Sequence, residues 1–292
     1  MKIKSIGTKI AILKVILSHI ISDIKINLIS FLFFSNSNHY RYIKEFKSKG
    51  CAVIPNYFNK DEVEKIYQQN IQELEKVPPE LIQEKIDNIK LENGVNLEKI
   101  RGSIKLKNIE NSNKNLKKLF KLKPITLFSS FYSYSIFNVK KLLYSIIHGP
   151  LILYNVTHDG SFKHYTVPEG VSDEVIAGDP HIDSPIPGIK AFIALKKVDI
   201  ANGPFCYFEK SNSFKHLKNF YIRLFFSEQK MIDKENEITR SLDKDLINFC
   251  ENNFELYKAT INPGDLVIFD TCGVHYASKL TKGQRHLMFL YY

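Results

Sequence analysis

The stretch GDPHIDSPIPG, residues 178–188, sets His181 and Asp183 two positions apart between prolines and glycines. On an extended segment residues i and i+2 share a face, so an imidazole nitrogen and a carboxylate oxygen can reach one ion. The chain has nine histidines and 31 acidic residues, so a His-x-acid pair is expected by chance roughly once. The pair alone is weak, and its meaning rests on a third ligand.

That ligand is offered by His275, in GDLVIFDTCGVHYASKLTKGQRHLMFLYY, with Arg285 ten residues further on. Two histidines and one carboxylate form the facial triad of non-haem iron(II) oxygenases, which leaves positions open on the metal. Those positions suit a bidentate 2-oxo acid and dioxygen, and an arginine fork nearby would hold the far carboxylate of the acid. Strand parity adds a condition. A two-residue hairpin loop at 282–283 would turn Arg285 away from His275. A three-residue loop at 282–284, or a bulge, pairs Thr281 with Arg285 and brings the two to one face, with Gly283 available for a positive φ. Asn155 is a further candidate, for the keto-acid end of the co-substrate. His148, His158, His164, His216 and His286 read first as surface or structural residues. Cys272 reads as a packing residue, and Lys117, Lys118, Lys121 and Lys123 as a solvated helix face.

These residues need an extended framework, and the second half of the chain supplies one. After Gly149 come short runs rich in β-branched and aromatic residues: LILYNVTH, IKAFIALKKVD, GPFCYF, LYKATI, DLVIFD, VHYASKL and RHLMFLYY. Turn residues bound each run, including Pro263-Gly264-Asp265, which predicts a β-sandwich or jelly roll over 150–292. A helical stretch at about 214–254 interrupts the series. Upstream, GCAVIPNYF reads as a strand, and Asn59 with Glu62 as the start of a helix. Residues 78–123 are polar and weakly patterned, as in a mobile insertion or lid. Residues 125–149 read as a buried helix. Over residues 1–39, Ile6, Ile10, Leu13, Leu17, Ile20, Ile24, Leu28 and Phe31 recur at helical spacing. Lys14, His19, Asp23 and Lys25 interrupt it, so it is a poor membrane span, and no small-residue cleavage site marks a signal peptide. Two placements remain open for residues 1–34: packing on the protein's own core, or lying on a membrane surface.

The composition, 292 residues with 44% apolar and 12% aromatic, is that of a folded globular chain. Four dispersed cysteines without a CxxC pair argue against a disulfide framework or zinc ribbon and fit a cytoplasmic, reducing compartment. Of the net charge of +10, residues 1–50 hold nine lysines and arginines against Asp23 and Glu45, a balance of +7. With the charge concentrated there and no nucleic-acid-reading motif present, nucleic-acid binding is not expected. The composition does not indicate an oligomeric state.

Taken in order, His181-Ile182-Asp183, Asn202-Gly203-Pro204, Pro263-Gly264-Asp265, His275 and Arg285 resemble the phytanoyl-CoA dioxygenase family of iron(II)/2-oxoglutarate oxygenases. The segment KEFKSKGCAVIPNYFNKDEVEKI also resembles the family's opening strand and helix, so the likeness runs over 40–292. It implies an all-β core with flanking helices (α+β), namely a double-stranded β-helix (jelly roll) with N-terminal helices. It also implies Fe(2+) held by His181, Asp183 and His275, with 2-oxoglutarate and O2 as co-substrates and Arg285 as partner of the C5 carboxylate. The implied activity is hydroxylation of an aliphatic carbon of a small or conjugated (CoA-, carrier-, lipid- or glycan-linked) substrate. Related halogenases replace the carboxylate ligand by Ala or Gly, so the retained Asp183 favours hydroxylation. The chain departs from the family at Glu209–Ser213, where a Pro-Gly-Ser-His segment is common, and at Ala277, where a serine is common. The alternative is a catalytically silent double-stranded β-helix that uses its cleft for binding.

Overall fold

The computed structural model describes residues 6–33, 40–76, 86–90, 96–100, 103–107, 159–166, 178–183, 187–213, 216 and 242–291. The chain opens with α1 (Ile6–Phe33), α2 (Tyr40–Lys49), β1 (Cys51–Ile54) and α3 (Lys60–Glu75). Three strands follow, β2 (Ile86–Lys90), β3 (Asn96–Ile100) and β4 (Ser103–Lys107), then β5 (Asp159–Thr166), β6 (Ile189–Ala194) and β7 (Phe205–Phe208). The last elements are α4 (Lys244–Asn253), β8 (Leu256–Ala259), β9 (Leu266–Asp270), β10 (His275–Ala277) and β11 (Gln284–Tyr291).

The strands form two antiparallel sheets, an eight-stranded one in the order β1-β9-β6-β11-β5-β4-β3-β2 and a three-stranded one in the order β10-β7-β8. This is a jelly roll. Period-two patterning explains how the sheets face each other: in β11, Leu287 joins the core between the sheets, while its neighbour His286 meets Tyr67 of α3, ring centroids 5.1 Å apart, on the outer face. The inter-sheet core joins Phe192, Val267, Phe269 and Leu287 of the large sheet to Tyr207 and Ala259 of the small one. Burying each of these larger side chains contributes roughly 1.5–3 kcal/mol. Helix α4 covers the outer face of the small sheet, its Leu246 and Cys250 packing with Phe208, Cys272 and Val274.

Caps and turns follow the sequence closely. Asn59 Oδ1 accepts from the Asp61 N–H at 2.9 Å and starts α3, as an N-cap side chain does. Asp265, in the Pro-Gly-Asp turn, is 5% exposed. It accepts the N–H of Asn262 on one oxygen and of Asn56 on the other, both at 2.8 Å. The carboxylate thus ties the turn before β9 to the loop after β1.

Three expectations need correction. Within the polar stretch 78–123, residues 86–107 supply β2, β3 and β4, which extend the large sheet beyond β5. Short strands such as Ile104-Lys105-Leu106-Lys107 carry only every second apolar residue and read as polar tracts. Strands β10 and β11 do not form a hairpin: β10 pairs with β7, and β11 pairs with β5 and β6, so the connecting residues cross from one sheet to the other. The loop parity argued from a hairpin therefore does not apply, although Gly283 does have a φ of 73°. Finally, of the two placements left open for α1, packing of its aliphatic stripe on the core is not the one found. Leu13, Leu17, Ile20, Ile24 and Leu28 are exposed, whereas Ser18, His19, Ser22 and Lys25 are buried. The expected helix at 125–149, the strand at 151–158, Asn155, His148, His158 and the lysines at 117–123 lie outside the described residues.

Candidate metal centre

His181 and Asp183 enter the site from a segment that is stitched to the small sheet. The backbones of His181 and His275 exchange two hydrogen bonds, at 3.0 and 2.9 Å, and the Asp183 N–H donates to Thr271 O at 2.9 Å. Ile182 points the other way, into the cluster formed by Phe208, Cys272 and Val274. The i, i+2 pair therefore does share a face, and His275 stands directly opposite it. His275 lies on the inner face of β10, its ring 4.8 Å from Phe269 and 5.7 Å from Phe205. One ligand atom from each of His181, Asp183 and His275 lies within 4.8 Å of the others.

The ring nitrogens are ordered by their own backbone. His181 Nδ1 is 2.7 Å from Asp179 O, and His275 Nδ1 is 2.8 Å from Gly273 O. A carbonyl only accepts, so each Nδ1 carries a proton and Nε2 is the nitrogen left to face a ligand. Metal-binding imidazoles are commonly set in this way. His275 Nε2 and Asp183 Oδ2 are 3.2 Å apart. Cis ligands on an octahedral ion with bonds of about 2.1 Å stand about 3.0 Å apart, so the pair is spaced for one ion with little adjustment.

Electrostatics favour the ligand forms. Burial pushes the Asp183 carboxyl up, but the hydrogen bond and charge of His275, with the charge of Lys190, outweigh it and hold the group well below the usual carboxylate range. Lys190 Nζ sits 2.8 Å from Asp183 Oδ2. Burial, then the neighbouring His275, lowers the His181 pKa and favours its neutral form. Lys190 was not singled out by the sequence; it belongs to the motif only because β6 runs beside the loop that carries Asp183.

Asp270 is a second residue the sequence did not reveal. It is 1% exposed. It accepts the N–H of Cys272 at 3.0 Å and of Gly188 at 3.4 Å, and the Asn212 amide at 2.9 Å. This clamp fixes the turn that bears both Thr271 O, the anchor of Asp183, and Gly273 O, the anchor of His275. The only sequence sign is an Asp-x-x-Gly turn at the end of a hydrophobic strand. Cys272 packs inside the turn, as expected, and all four cysteines are buried free thiols.

Arg285 is the largest fully buried side chain among the described residues, at 1% exposure. It lies two residues before Leu287 on β11 and so faces the inter-sheet space, toward the small sheet. Its Nη1 lies against Gly203, 3.0 Å from where a Cβ would stand. Gly203 has φ 68° and ψ 69° and caps a 3-10 turn, Ile200–Asn202, that carries a capping box between Asp199 and Asn202. Asn202 Nδ2 donates to Lys282 O at 3.0 Å and to Gln284 O at 3.4 Å. Asn-Gly-Pro thus acts on Arg285: the asparagine holds the chain entering β11, and the glycine lets backbone approach the guanidinium. Gly203 precedes Phe205, which pairs with Ala277, two residues beyond His275 on β10. That offset is roughly 7 Å along a strand, a distance a five-carbon diacid spans.

Two further histidines have described packing. His286 is buried, with Nε2 3.0 Å from Gln284 Oε1, and His216 packs edge-on against Phe254. The backbone of His164 pairs with His286.

No family model and no curated protein matches the chain. Solved structures do. The epimerase SnoN, in complex with Fe3+, alpha ketoglutarate and nogalamycin RO, matches with a TM-score of 0.54 at 11% identity over 86% of this chain and 81% of its own. The non-heme alpha ketoglutarate dependent carbocyclase SnoK, from nogalamycin biosynthesis, matches with a TM-score of 0.51 at 14% identity over 86% of this chain and 82% of its own. At such identities the likeness establishes one thing, a shared jelly-roll fold, and this chain sets a His-Asp-His cluster within it.

Proposed function

We propose that the chain is an iron(II)- and 2-oxoglutarate-dependent dioxygenase of the phytanoyl-CoA dioxygenase type that hydroxylates an aliphatic carbon of a small or conjugated substrate. The observation that carries this reading is the convergence of His181, Asp183 and His275 within 4.8 Å, with each histidine's Nδ1 already committed to a carbonyl. Two imidazoles and one carboxylate fit iron(II) and leave positions for a chelating 2-oxo acid and dioxygen.

When bound, iron and 2-oxoglutarate would supply oxidation of a substrate C–H bond by dioxygen, one oxygen atom going to the substrate and the other to the succinate formed as carbon dioxide leaves. The chain's residues provide the setting. Asp183 stays anionic and His181 neutral, the forms that ligate. Lys190 holds the carboxylate in place through Oδ2. Arg285, buried between the sheets, would take the C5 carboxylate in a bidentate grip that the Asn202-Gly203 turn positions. The rings of Phe205, Tyr207 and Phe269 pack around His275 and hold its imidazole in place.

SnoN in its nogalamycin complex and SnoK of nogalamycin biosynthesis support a small-molecule substrate by fold analogy. They are an epimerase and a carbocyclase, so product structure is the deciding readout between hydroxylation and other outcomes of C–H cleavage. The test is a metabolite panel scored for substrate-stimulated succinate formation, followed by mass analysis of the product. A product that has gained one oxygen supports hydroxylation. Succinate with an isomerised or dehydrogenated product rejects hydroxylation while keeping the cofactor assignment. Iron-loaded, folded protein that neither binds 2-oxoglutarate nor turns it over would support the silent binding domain instead.

A further inference from the structure

Helix α1 buries a mixed face and leaves an aliphatic stripe in solvent. Ser18, His19, Ser22 and Lys25 are at most 6% exposed and Ile26 2%, while Leu13 is 54% exposed, Leu17 36%, Ile20 47%, Ile24 60% and Leu28 47%. The intervals between these five aliphatics are four, three, four and four residues, which places them in one stripe about 22 Å long on the solvent side. The inward face is held by specific contacts. His19 Nε2 lies 3.9 Å from Cys272 Sγ, in the turn that leads from β9 to β10. On the flank, Lys47 Nζ of α2 donates to Asn27 Oδ1. Burial pushes the Lys25 ammonium down to about 8, a cost accepted on this face while aliphatic side chains on the opposite face stay in water. A contiguous exposed apolar stripe of this kind marks a surface that is covered in use.

Charge decides what covers it. Arg41, Lys44 and Lys47 are all exposed on α2, which packs against α1. They belong to the nine basic residues that face only two acids in residues 1–50. One of those acids, Asp23, lies on α1 within the field of Lys47 of α2. Among the described residues no helix is long and apolar enough to cross a membrane. An aliphatic face bordered by cations, too polar to span, is the chemistry of a helix lying in the headgroup region. A self-associating surface would set these cations against each other.

We propose that α1 docks the protein on anionic lipid bilayers, with the Leu13–Leu28 stripe inserted among the acyl chains and the α2 cations engaging lipid phosphates. The inference does not depend on the oxygenase reading. Because His19 is packed against Cys272, three residues before His275, docking also attaches the bilayer to the element that bears the candidate centre.

The chain contains no tryptophan, so Ile24→Trp gives a single reporter at the most exposed stripe position. Added to vesicles of phosphatidylcholine with phosphatidylglycerol, the full-length variant is expected to shift its emission to the blue. Brominated acyl chains should quench it, and salt should reverse the effect. Adding Ile20→Ser should reduce partitioning at least about tenfold, since several methylene equivalents leave the acyl region. Co-sedimentation of the unaltered chain with the same vesicles provides a measurement free of any substitution. Three results would overturn the proposal. One is blue emission without vesicles that is lost on dilution, which identifies a second copy on the stripe. Another is unshifted emission and no co-sedimentation with a folded chain. The last is equal binding to pure phosphatidylcholine, which removes the anionic component.

Discussion

Substituting Gly203 by alanine tests whether Asn-Gly-Pro matters through Arg285. The residue sits at φ 68°, and an added Cβ would stand 2.4 Å from Ser278 O, 2.9 Å from Leu280 N and 3.0 Å from Arg285 Nη1. The left-handed backbone alone costs an L-residue about 1–2 kcal/mol. Two of the three contacts are backbone atoms that cannot rotate away, so the strand exit after β10 and the guanidinium must both shift. A displacement of about 1 Å at a positioning group costs on the order of a hundredfold. Gly283→Ala is the matched control: its φ is 73°, and the nearest atom is Asn202 Nδ2 at 3.3 Å, so it carries the same backbone strain with a mild side-chain contact in place of the backbone collisions. Anaerobic titration of iron-loaded protein with 2-oxoglutarate, followed by optical absorbance, reads the affinity, and urea unfolding reads the stability. Gly283→Ala is expected to lose about 1 kcal/mol of stability and to keep its affinity. Gly203→Ala should weaken 2-oxoglutarate by at least about tenfold while iron stays bound. A folded Gly203→Ala protein with unchanged affinity would refute the link between this turn and Arg285.

Three further outcomes follow from the same geometry. Asp270→Asn keeps the size of the clamp and removes its charge, and should lower metal affinity about 10- to 100-fold; isothermal titration with Mn(II), which avoids oxidation, would show it. Saturating metal should raise the unfolding free energy by about 2.7 kcal/mol at a hundredfold excess over Kd, seen as a melting-point increase that a chelator removes and that His181→Ala lacks. Stability should also fall in alkali. Burial pushes the Cys250 thiol up to about 12 from an ordinary value of 9.0 and raises Cys51 and Cys206 as well. The unfolded chain then releases protons that the native state keeps, so stability is full below about pH 9 and declines above it, at about 1.36 kcal/mol per pH unit for each thiol. Lys25, pushed down to about 8 from an ordinary value of 10.5, opposes this between those two values and offsets about two pH units of one thiol's decline. Urea midpoints that do not fall between about pH 9 and 11 would contradict the burial of the thiols, and Cys250→Ala should flatten the decline by one group.

The ligand cluster was legible in the sequence because it rests on local facts: an i, i+2 pair on an extended segment, and a third histidine on a short strand. The strands from β6 to β11 were legible for the same reason, each being a brief β-branched run between turn residues. What remained hidden depends on pairing across the chain. Nothing local in KLTKGQ tells whether it closes a hairpin or crosses to the other sheet, so the parity argument for Arg285 started from a false neighbour. The side chain faces the inter-sheet space because of its register with Leu287. Lys190 and Asp270 acquired their roles only when β6 and β9 were laid beside the His181 loop. In α1, periodicity gave the stripe correctly, but a period says which residues share a face and not which face is buried. Ser18, Ser22 and Lys25 lie opposite the stripe, and tertiary contacts with Cys272 and α2 chose that side.

The central claim is that His181, Asp183 and His275 bind one iron that leaves room for 2-oxoglutarate. Mixing the purified chain with Fe(II) and 2-oxoglutarate under anaerobic conditions tests it directly, because a chelated 2-oxo acid on iron(II) gives a weak visible charge-transfer band. The band is expected for the intact chain, absent in His181→Ala, and shifted to higher 2-oxoglutarate concentration when Arg285 is replaced by glutamine. A folded, iron-binding protein that shows no band at any 2-oxoglutarate concentration would contradict the claim.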